Sequence, residues 1–93
     1  MYLNPDERRA ATVLHRALSA AQSAYEKGER RADALREAMQ AVLNTEPLAK
    51  TQYVSCAAYE SLQELQQQVA EKALLSMAVF FGKTRLIDNI VIG

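Results

Sequence analysis

The sequence predicts a single small α+β domain, in which a helical hairpin packs on one face of an antiparallel sheet of about three strands. Its 93 residues suit one domain with a modest core. Apolar residues recur at helical spacing through the first half of the chain. In the second half the period changes to the alternation of strands. No internal repeat, low-complexity segment or linker divides the chain.

The first helix is predicted over residues 5–27. Asn4 is a suitable cap, Pro5 suits the first helical position, and Glu7 follows Asn4 by three residues, as a capping box requires. Gly28 is predicted to end the helix, because glycine adopts a positive φ without strain. One apolar stripe at helical spacing is predicted to be buried, and its members are Ala10, Leu14, Ala17, Leu18, Ala21 and Tyr25.

A second helix is predicted from a cap at Asp33 to about Leu43, where Asn44 and Pro47 stop it. Because a short loop containing glycine joins the two helices, they are predicted to pack as an antiparallel hairpin. The buried face of the second helix is predicted to consist of Leu35, Ala38, Met39 and Val42.

Three strands are predicted in the second half. Residues 52–58 alternate, with Tyr53, Ser55 and Ala57 on one side and Val54, Cys56 and Ala58 on the other. The polar, Gln-rich residues 61–71 are predicted to form a connection with a helical turn or two. Ala73–Phe81 fits a strand by its shortness and the following Gly82, although its Leu, Met and Ala residues also favour a helix. Thr84–Ile92 is the third strand, paired by a short turn.

The alternation also predicts which strand residues face the helices. Asp88 has the same parity as Leu86 and Ile90, so it is expected near the edge of the sheet or hydrogen-bonded to a loop. The face toward the helices is predicted to comprise Leu75, Met77, Val79, Leu86, Ile90 and Ile92, opposite Leu14, Leu18, Leu35 and Met39.

Composition disfavours several classes of function. Eleven basic and eleven acidic residues cancel, so no basic field attracts a nucleic acid. The longest apolar run, residues 73–81, is too short to cross a membrane, and the N-terminus does not resemble a signal peptide. The single Cys56 excludes an internal disulfide and suits a reducing compartment. We therefore expect a cytoplasmic domain with no nucleic-acid or membrane partner.

The candidate reactive residues favour structural roles. Arg85 and Asp88 stand three apart on a strand, so they point to opposite faces and do not converge on one substrate without a bulge. His15 lies opposite the apolar stripe, with Arg8, Ser19 and Gln22, and is predicted to be exposed. Cys56 lacks an evident histidine partner and is predicted to be a packing residue.

Two arginine pairs, Arg8-Arg9 and Arg30-Arg31, could bind phosphates. Each pair has acidic neighbours, and adjacent helical residues diverge by about 100°, so a solvated surface is favoured. The sequence contains no glycine-rich phosphate loop, CxxC motif or Ser-His-Asp set. From its residues alone, the chain is predicted to hold no catalytic, cofactor-binding or metal-binding residue.

Two motifs at the ends of the chain resemble a known family. The opening Tyr2-Leu3, followed after four residues by Arg8, and the closing run of residues 84–89, Thr-Arg-Leu-Ile-Asp-Asn, closely resemble the C-terminal domain of the pantothenate synthetase (pantoate–β-alanine ligase) family. The closing run is the more specific motif. The similarity extends from Tyr2 to Ile92, nearly the whole chain.

The resemblance implies a lid domain, comprising residues 1–93, of an enzyme that condenses pantoate with β-alanine. In that family ATP and Mg²⁺ serve the reaction, which passes through a pantoyl adenylate, releases AMP and pyrophosphate, and yields pantothenate. The Rossmann-like N-terminal domain, which this chain lacks, holds the nucleotide motif, the pantoate pocket and most contacts of the homodimer. No cofactor is therefore expected on this chain alone, and no site residue is carried over; Tyr2 would lie nearest the missing catalytic loop.

A different reading is a free-standing interaction or dimerisation module without catalysis. In either case, a strand end such as residues 90–92 (Ile-Val-Ile) can pair across a two-fold axis, so weak self-association of the chain is expected. The sequence encoded upstream of Met1 discriminates the two readings.

Overall fold

Two helices are followed by three strands, and this order confirms the predicted α+β class. The computed structural model describes the backbone of residues 5–93, and their side chains except those of residues 6, 7 and 9–11. The predicted cap Asn4 and the side chains of Glu7, Arg9 and Ala10 lie outside the described residues, as does Tyr2. The elements are α1 (Pro5–Glu26), α2 (Ala32–Leu43), β1 (Ala49–Ala58), β2 (Ala73–Phe81) and β3 (Thr84–Ile92).

Helix α1 is terminated at Gly28, as the sequence predicts, although its last residue is Glu26 and not residue 27. Gly28 has a φ of 111°, a backbone conformation that glycine adopts readily and that residues with a Cβ atom rarely adopt. Its N–H donates to the carbonyl of Tyr25 at 3.0 Å, and the N–H of Glu29 donates to the carbonyl of Ala24 at 2.9 Å. This pair of bonds is the Schellman arrangement, which satisfies carbonyls at the end of the helix.

The predicted cap of α2 is wrong. Arg31, not Asp33, occupies the cap position, and its side chain makes no capping hydrogen bond. The N–H of Ala32 instead donates to the carbonyl of Gln67 at 2.8 Å. Because a distant backbone group satisfies this helix start, Asp33 lies in the first turn and its carboxylate is free to pair with another side chain.

The sheet is antiparallel, with β2 in the centre and β1 and β3 at its edges. Ala73–Phe81 is thus a strand, as the short run before Gly82 indicates. A tight turn at Gly82, with φ 63°, joins β2 to β3. Strand β1 begins at Ala49, three residues before the predicted start. An irregularity between Thr51 and Tyr53 interrupts the alternation, so the sequence pattern does not extend to the first residues of the strand.

The connection between β1 and β2, residues 59–72, contains no helix. A single α-turn, in which the N–H of Leu62 donates to the carbonyl of Ala58 at 2.8 Å, lies at its start, whereas the helical turns were predicted over residues 61–71. The backbone of the connection bonds to neighbouring elements instead. The N–H of Leu65 donates to the carbonyl of Cys56 at 2.9 Å, and the N–H of Val69 donates to the carbonyl of Arg30 at 2.7 Å. A segment whose backbone groups pair outward in this way cannot also pair them within a helix.

The core lies between the two helices and one face of the sheet. The predicted stripes face this core within the described residues, but five of their members, Tyr25, Ala38, Val42, Leu86 and Ile90, are only half-buried. Val13, Leu43 and Phe81 join the core in addition. Asp88 belongs to edge strand β3 and is half-buried, as expected from its parity. The large buried side chains are Leu18, Leu35, Met39, Leu43, Leu75, Met77, Val79 and Phe81.

Candidate functional site

A polar cluster joins α2, β1 and the connection, and Arg36 is its centre. The guanidinium donates from Nη2 to Asp33 Oδ1 at 2.5 Å and from Nη1 to Glu64 Oε2 at 2.5 Å. Nη1 also donates to the carbonyl of Leu65 at 2.9 Å. The Arg36 side chain is 18% exposed. Charged, well-directed bonds of this kind are stronger than those between neutral groups.

Glu64 completes the polar cluster at the edge of β1. Its Oε2 accepts from the backbone N–H of Cys56 at 2.9 Å, and its Oε1 accepts from the hydroxyl of Ser55 at 2.5 Å. One carboxylate therefore occupies donors on the strand edge and also binds Arg36 of α2. The arrangement fastens the connection to two elements and covers part of an edge that would otherwise be open.

Electrostatics in the polar cluster favour a structural role. Burial alone would lower the pKa of Arg36, but its hydrogen bonds to Asp33 and Glu64 outweigh this and raise the pKa. Burial raises the pKa of the Cys56 thiol; Arg36 acts against this shift and Glu64 with it. A protonated, buried thiol is a poor nucleophile, as expected for a packing residue.

A second surface, the outer sheet face, lies on the side of the sheet opposite the helices. The cross-strand register aligns Tyr53, Ala78 and Ile87 in one row. Three large apolar side chains of this face are exposed: Ile87 by 54%, Val91 by 45% and Tyr53 by 39%. The outer sheet face consists of Lys50, Tyr53, Ser55, Ala57, Leu74, Ser76, Ala78, Phe80, Arg85, Ile87, Asn89 and Val91.

One end of the outer sheet face is positively charged. Lys50 and Arg85 flank Phe80 in the register, and Lys83 lies in the adjoining turn; these three define the cationic end. Arg85 Nε donates to the neutral Gln52 Oε1 at 2.7 Å. None of the strand residues of the outer sheet face is acidic. This face therefore combines exposed apolar area with cations that no carboxylate of the same face balances.

Arg85 and Asp88 lie on opposite faces of β3, as predicted. Arg85 belongs to the outer sheet face, whereas Asp88 has the parity of the core residues. The Oδ1 atom of Asp88 accepts from the backbone N–H of Asn89 at 2.9 Å. The two side chains do not converge, and nothing in this arrangement forms an acid–base pair.

The other candidates also occupy the predicted settings. His15 and Arg8 are exposed on α1. Arg30 lies over the ring of Tyr25, 3.8 Å from its centroid, and Arg31 lies 3.8 Å from a carboxylate oxygen of Glu29. Both arginines of this pair thus have partners within the chain.

A cleft of about 580 Å³ lies beside the connection. Its lining includes Tyr59, Glu60, Ser61, Glu71 and Lys72 but no histidine or cysteine. Among residues 5–93, no group of three or more His, Cys, Asp or Glu side chains is placed to hold a metal ion. Neither helix of the described part is long and apolar enough to cross a membrane.

Sequence reasoning missed the polar cluster and the cationic end. Arg36 and Glu64 are 28 residues apart, and no period relates a helix to an irregular connection. The available signal was weak: an arginine three residues after an aspartate on a helix predicts a pair. Lys50 and Arg85 meet only because β1 and β3 both flank β2.

The sequence matches the family model described as pantoate-beta-alanine ligase over residues 1–91. It is 58% identical to the pantothenate synthetase of Roseiflexus sp. (strain RS-1) over 92 residues, which are 99% of this chain and 33% of that protein. It is 45% identical to the pantothenate synthetase of Thermoanaerobacter sp. (strain X514) over 93 residues, 100% of this chain and 32% of that protein. The chain thus spans about a third of the length of the curated relatives it matches.

The fold is also similar to solved structures. A crystal structure of pantothenate synthetase from Thermus thermophilus superposes with a TM-score of 0.84 at 32% identity, covering 96% of this chain and 32% of that one. A second structure of that enzyme gives a TM-score of 0.83 at 36% identity, with the same shares covered.

Proposed function

Because the chain belongs to the pantoate–β-alanine ligase family, we propose that it is the C-terminal lid domain of an enzyme that makes pantothenate from pantoate and β-alanine. The single observation that supports this most strongly is the family match over residues 1–91. The length of the relatives supports the assignment to one domain of a larger enzyme, since each is about three times as long as this chain and contains a large portion that does not align with it.

The proposed reaction joins a carboxylate to an amine at the expense of ATP, with AMP and pyrophosphate released. An activated carboxylate of this kind is easily hydrolysed, so a domain that closes over it protects it by excluding water. The chemistry itself is assigned to the portion that this chain lacks.

ATP and Mg²⁺ are proposed for the whole enzyme and not for this chain. The described residues do not fit a Mg²⁺ site, which takes oxygen ligands in octahedral geometry, because no cluster of three or more acidic or histidine side chains is present among them. The sequence also lacks a glycine-rich phosphate loop. Neither group is therefore assigned to this domain.

The whole enzyme is proposed to be a cytoplasmic homodimer whose main contacts lie outside residues 1–93. The chain alone is proposed to self-associate only weakly, by pairing of its open edge strand β3 across a two-fold axis. Sedimentation up to millimolar concentration tests this proposal, and a monomer throughout would remove it.

The test of function compares the full-length enzyme with the 93-residue chain. The full-length protein is expected to form pantothenate from pantoate, β-alanine and ATP with Mg²⁺, whereas the 93-residue chain is expected to form none. Titration calorimetry of that chain with ATP, Mg²⁺ and pantoate is expected to give no measurable heat of binding. Micromolar affinity for ATP, or a full-length protein inactive in this assay, would contradict the proposal. A gene that starts at Met1 would instead favour the alternative, a free-standing interaction module.

A further inference from the structure

We propose that the outer sheet face is the surface by which this domain docks on the remaining portion of its own enzyme, with its cationic end over an anionic counterpart. This inference rests on the proposed function, because it takes that portion to be joined to the chain. The occupant is therefore tethered and of defined chemistry: a surface with an apolar centre and negative charge at one end.

The helical faces of the domain do not suit such contact, and the exposed apolar side chains outside the sheet, Leu48, Tyr59 and Leu62, belong to loops. The exposed residues of α1 are mainly polar or charged and include Thr12, His15, Arg16 and Gln22. The exposed side of α2 carries Asp33 and Glu37. By contrast, the outer sheet face places exposed tyrosine, isoleucine and valine side chains on one continuous surface. Contiguous apolar patches of this kind mark contact surfaces more often than scattered single residues do.

The size of the face favours a tethered partner over a second copy of the chain. Three strands of nine or ten residues span about 30 Å by 14 Å, which gives an area of about 400 Å². Interfaces between domains of one chain bury roughly 600–1,500 Å² counted over both sides, so the face is large enough. A stable interface between separate proteins needs about 800 Å² per partner, which is about twice this area.

Charge indicates how the face is oriented on its partner. Lys50, Lys83 and Arg85 lie together at the end where β2 turns into β3, and the polar contact described for Arg85 is to neutral Gln52. The strand residues at the other end, Ala57, Leu74 and Val91, are uncharged. The lysine next to that end, Lys72, lies over the ring of Tyr59, 6.0 Å from its centroid. With three cations gathered at one end, the face would be oriented with that end over the anionic part of its partner surface.

Cysteine labelling of the full-length enzyme tests the docking face directly. Ile87→Cys places a thiol in the middle of the outer sheet face, and Leu62→Cys places one in the turn after β1, where the native side chain is 64% exposed. Each variant is alkylated with a maleimide, and each rate is divided by the rate of the same protein unfolded in urea. Buried Cys56 serves as the internal unreactive thiol.

We expect the thiol of Ile87→Cys to react at least about tenfold more slowly than that of Leu62→Cys, which corresponds to about 1.4 kcal/mol of protection. Adding Lys50→Glu and Lys83→Glu to Ile87→Cys should reduce this protection by about threefold or more, as for two exposed charge pairs. Lys27→Glu, an exposed cation at the end of α1, is the matched control and should leave it unchanged.

Equal reactivity at the two positions, whether both fast or both slow, would overturn the proposal, as would equal effects of the two sets of charge reversals. The condensation assay on the unsubstituted enzyme separates this failure from that of the proposed function. If the enzyme is active but the two positions are labelled equally, only the proposal of the docking face is refuted. If the enzyme is inactive but the thiol of Ile87→Cys is protected, the proposed function is refuted and the docking face stands.

Discussion

Glu64→Ala should destabilise the domain more than any other single change at an exposed acidic residue of the described chain. The Glu64 side chain is 41% exposed, so its position on the surface would suggest a neutral substitution. The structure indicates otherwise, because this carboxylate accepts from the Cys56 backbone, the Ser55 hydroxyl and the Arg36 guanidinium together.

The magnitude follows from what each partner loses. The partly buried N–H of Cys56 is left without an acceptor, which costs about 1–3 kcal/mol. The ion pair with Arg36 contributes only about 0.2–1 kcal/mol, because Glu64 is substantially solvated and Asp33 still binds the guanidinium. The expected loss in the free energy of unfolding is therefore about 1–4 kcal/mol, and each kcal/mol lowers the melting temperature of a domain of this size by about 4–8 °C.

Urea unfolding followed by circular dichroism measures this loss on the 93-residue chain. The matched control is Glu60→Ala, four residues earlier in the same connection, which has no hydrogen bond to β1 or α2 among those described. It should change the free energy of unfolding by less than about 0.5 kcal/mol. Equal midpoints for the two variants would refute the reasoning, since the polar cluster would then contribute nothing beyond a solvated carboxylate.

Other changes have distinct expected outcomes. Leu18→Ala should cost about 2–5 kcal/mol in the free energy of unfolding, and Leu86→Ala less than about 2 kcal/mol because Leu86 is only half-buried; chemical denaturation that ranks them the other way would contradict the assigned core. Gly28→Ala should cost about 1–3 kcal/mol through its φ of 111° alone, since open space surrounds the added Cβ; an unchanged melting temperature would refute this. Burial raises the pKa of Cys56 in the folded state, so the free energy of unfolding should fall as pH rises above the unfolded thiol pKa of about 8.5. Cys56→Ala should remove this pH dependence, and identical pH profiles of unfolding for the variant and the parent would contradict the prediction.

The periodicity of apolar residues predicted the helices and strands correctly, because an element that buries one face must place apolar residues at its own repeat. The stripe of Leu14, Leu18 and Ala21 and the alternation of Leu75, Met77 and Val79 both survive folding, since each element turns one face to a common core. The opposite directions of Arg85 and Asp88 followed from the same geometry. The sequence pattern was sufficient wherever the direction of a side chain depends on the geometry of one helix or strand alone.

The predictions that failed concern groups satisfied by distant partners. Asp33 was expected to cap α2, but the carbonyl of Gln67 satisfies the helix start from 35 residues away. Helical turns were expected over residues 61–71, but after the α-turn that ends at Leu62 the backbone of the connection pairs with Cys56 and Arg30. No local rule anticipates such bonds, because they depend on which segments the fold brings together. The cationic end escaped notice for the same reason.

The way in which the connection is attached has a consequence for how the chain could be cut. Its hydrogen bonds to β1 and to the start of α2 all begin at Leu62 or later, whereas Glu60 and Ser61 stand exposed in the turn before them. Cleavage of the peptide bond between Glu60 and Ser61 would leave these attachments in place and each half with strands that pair across the break. The domain should therefore tolerate a nick there as a two-piece complex, and new chain termini at that bond would suit a circular permutation.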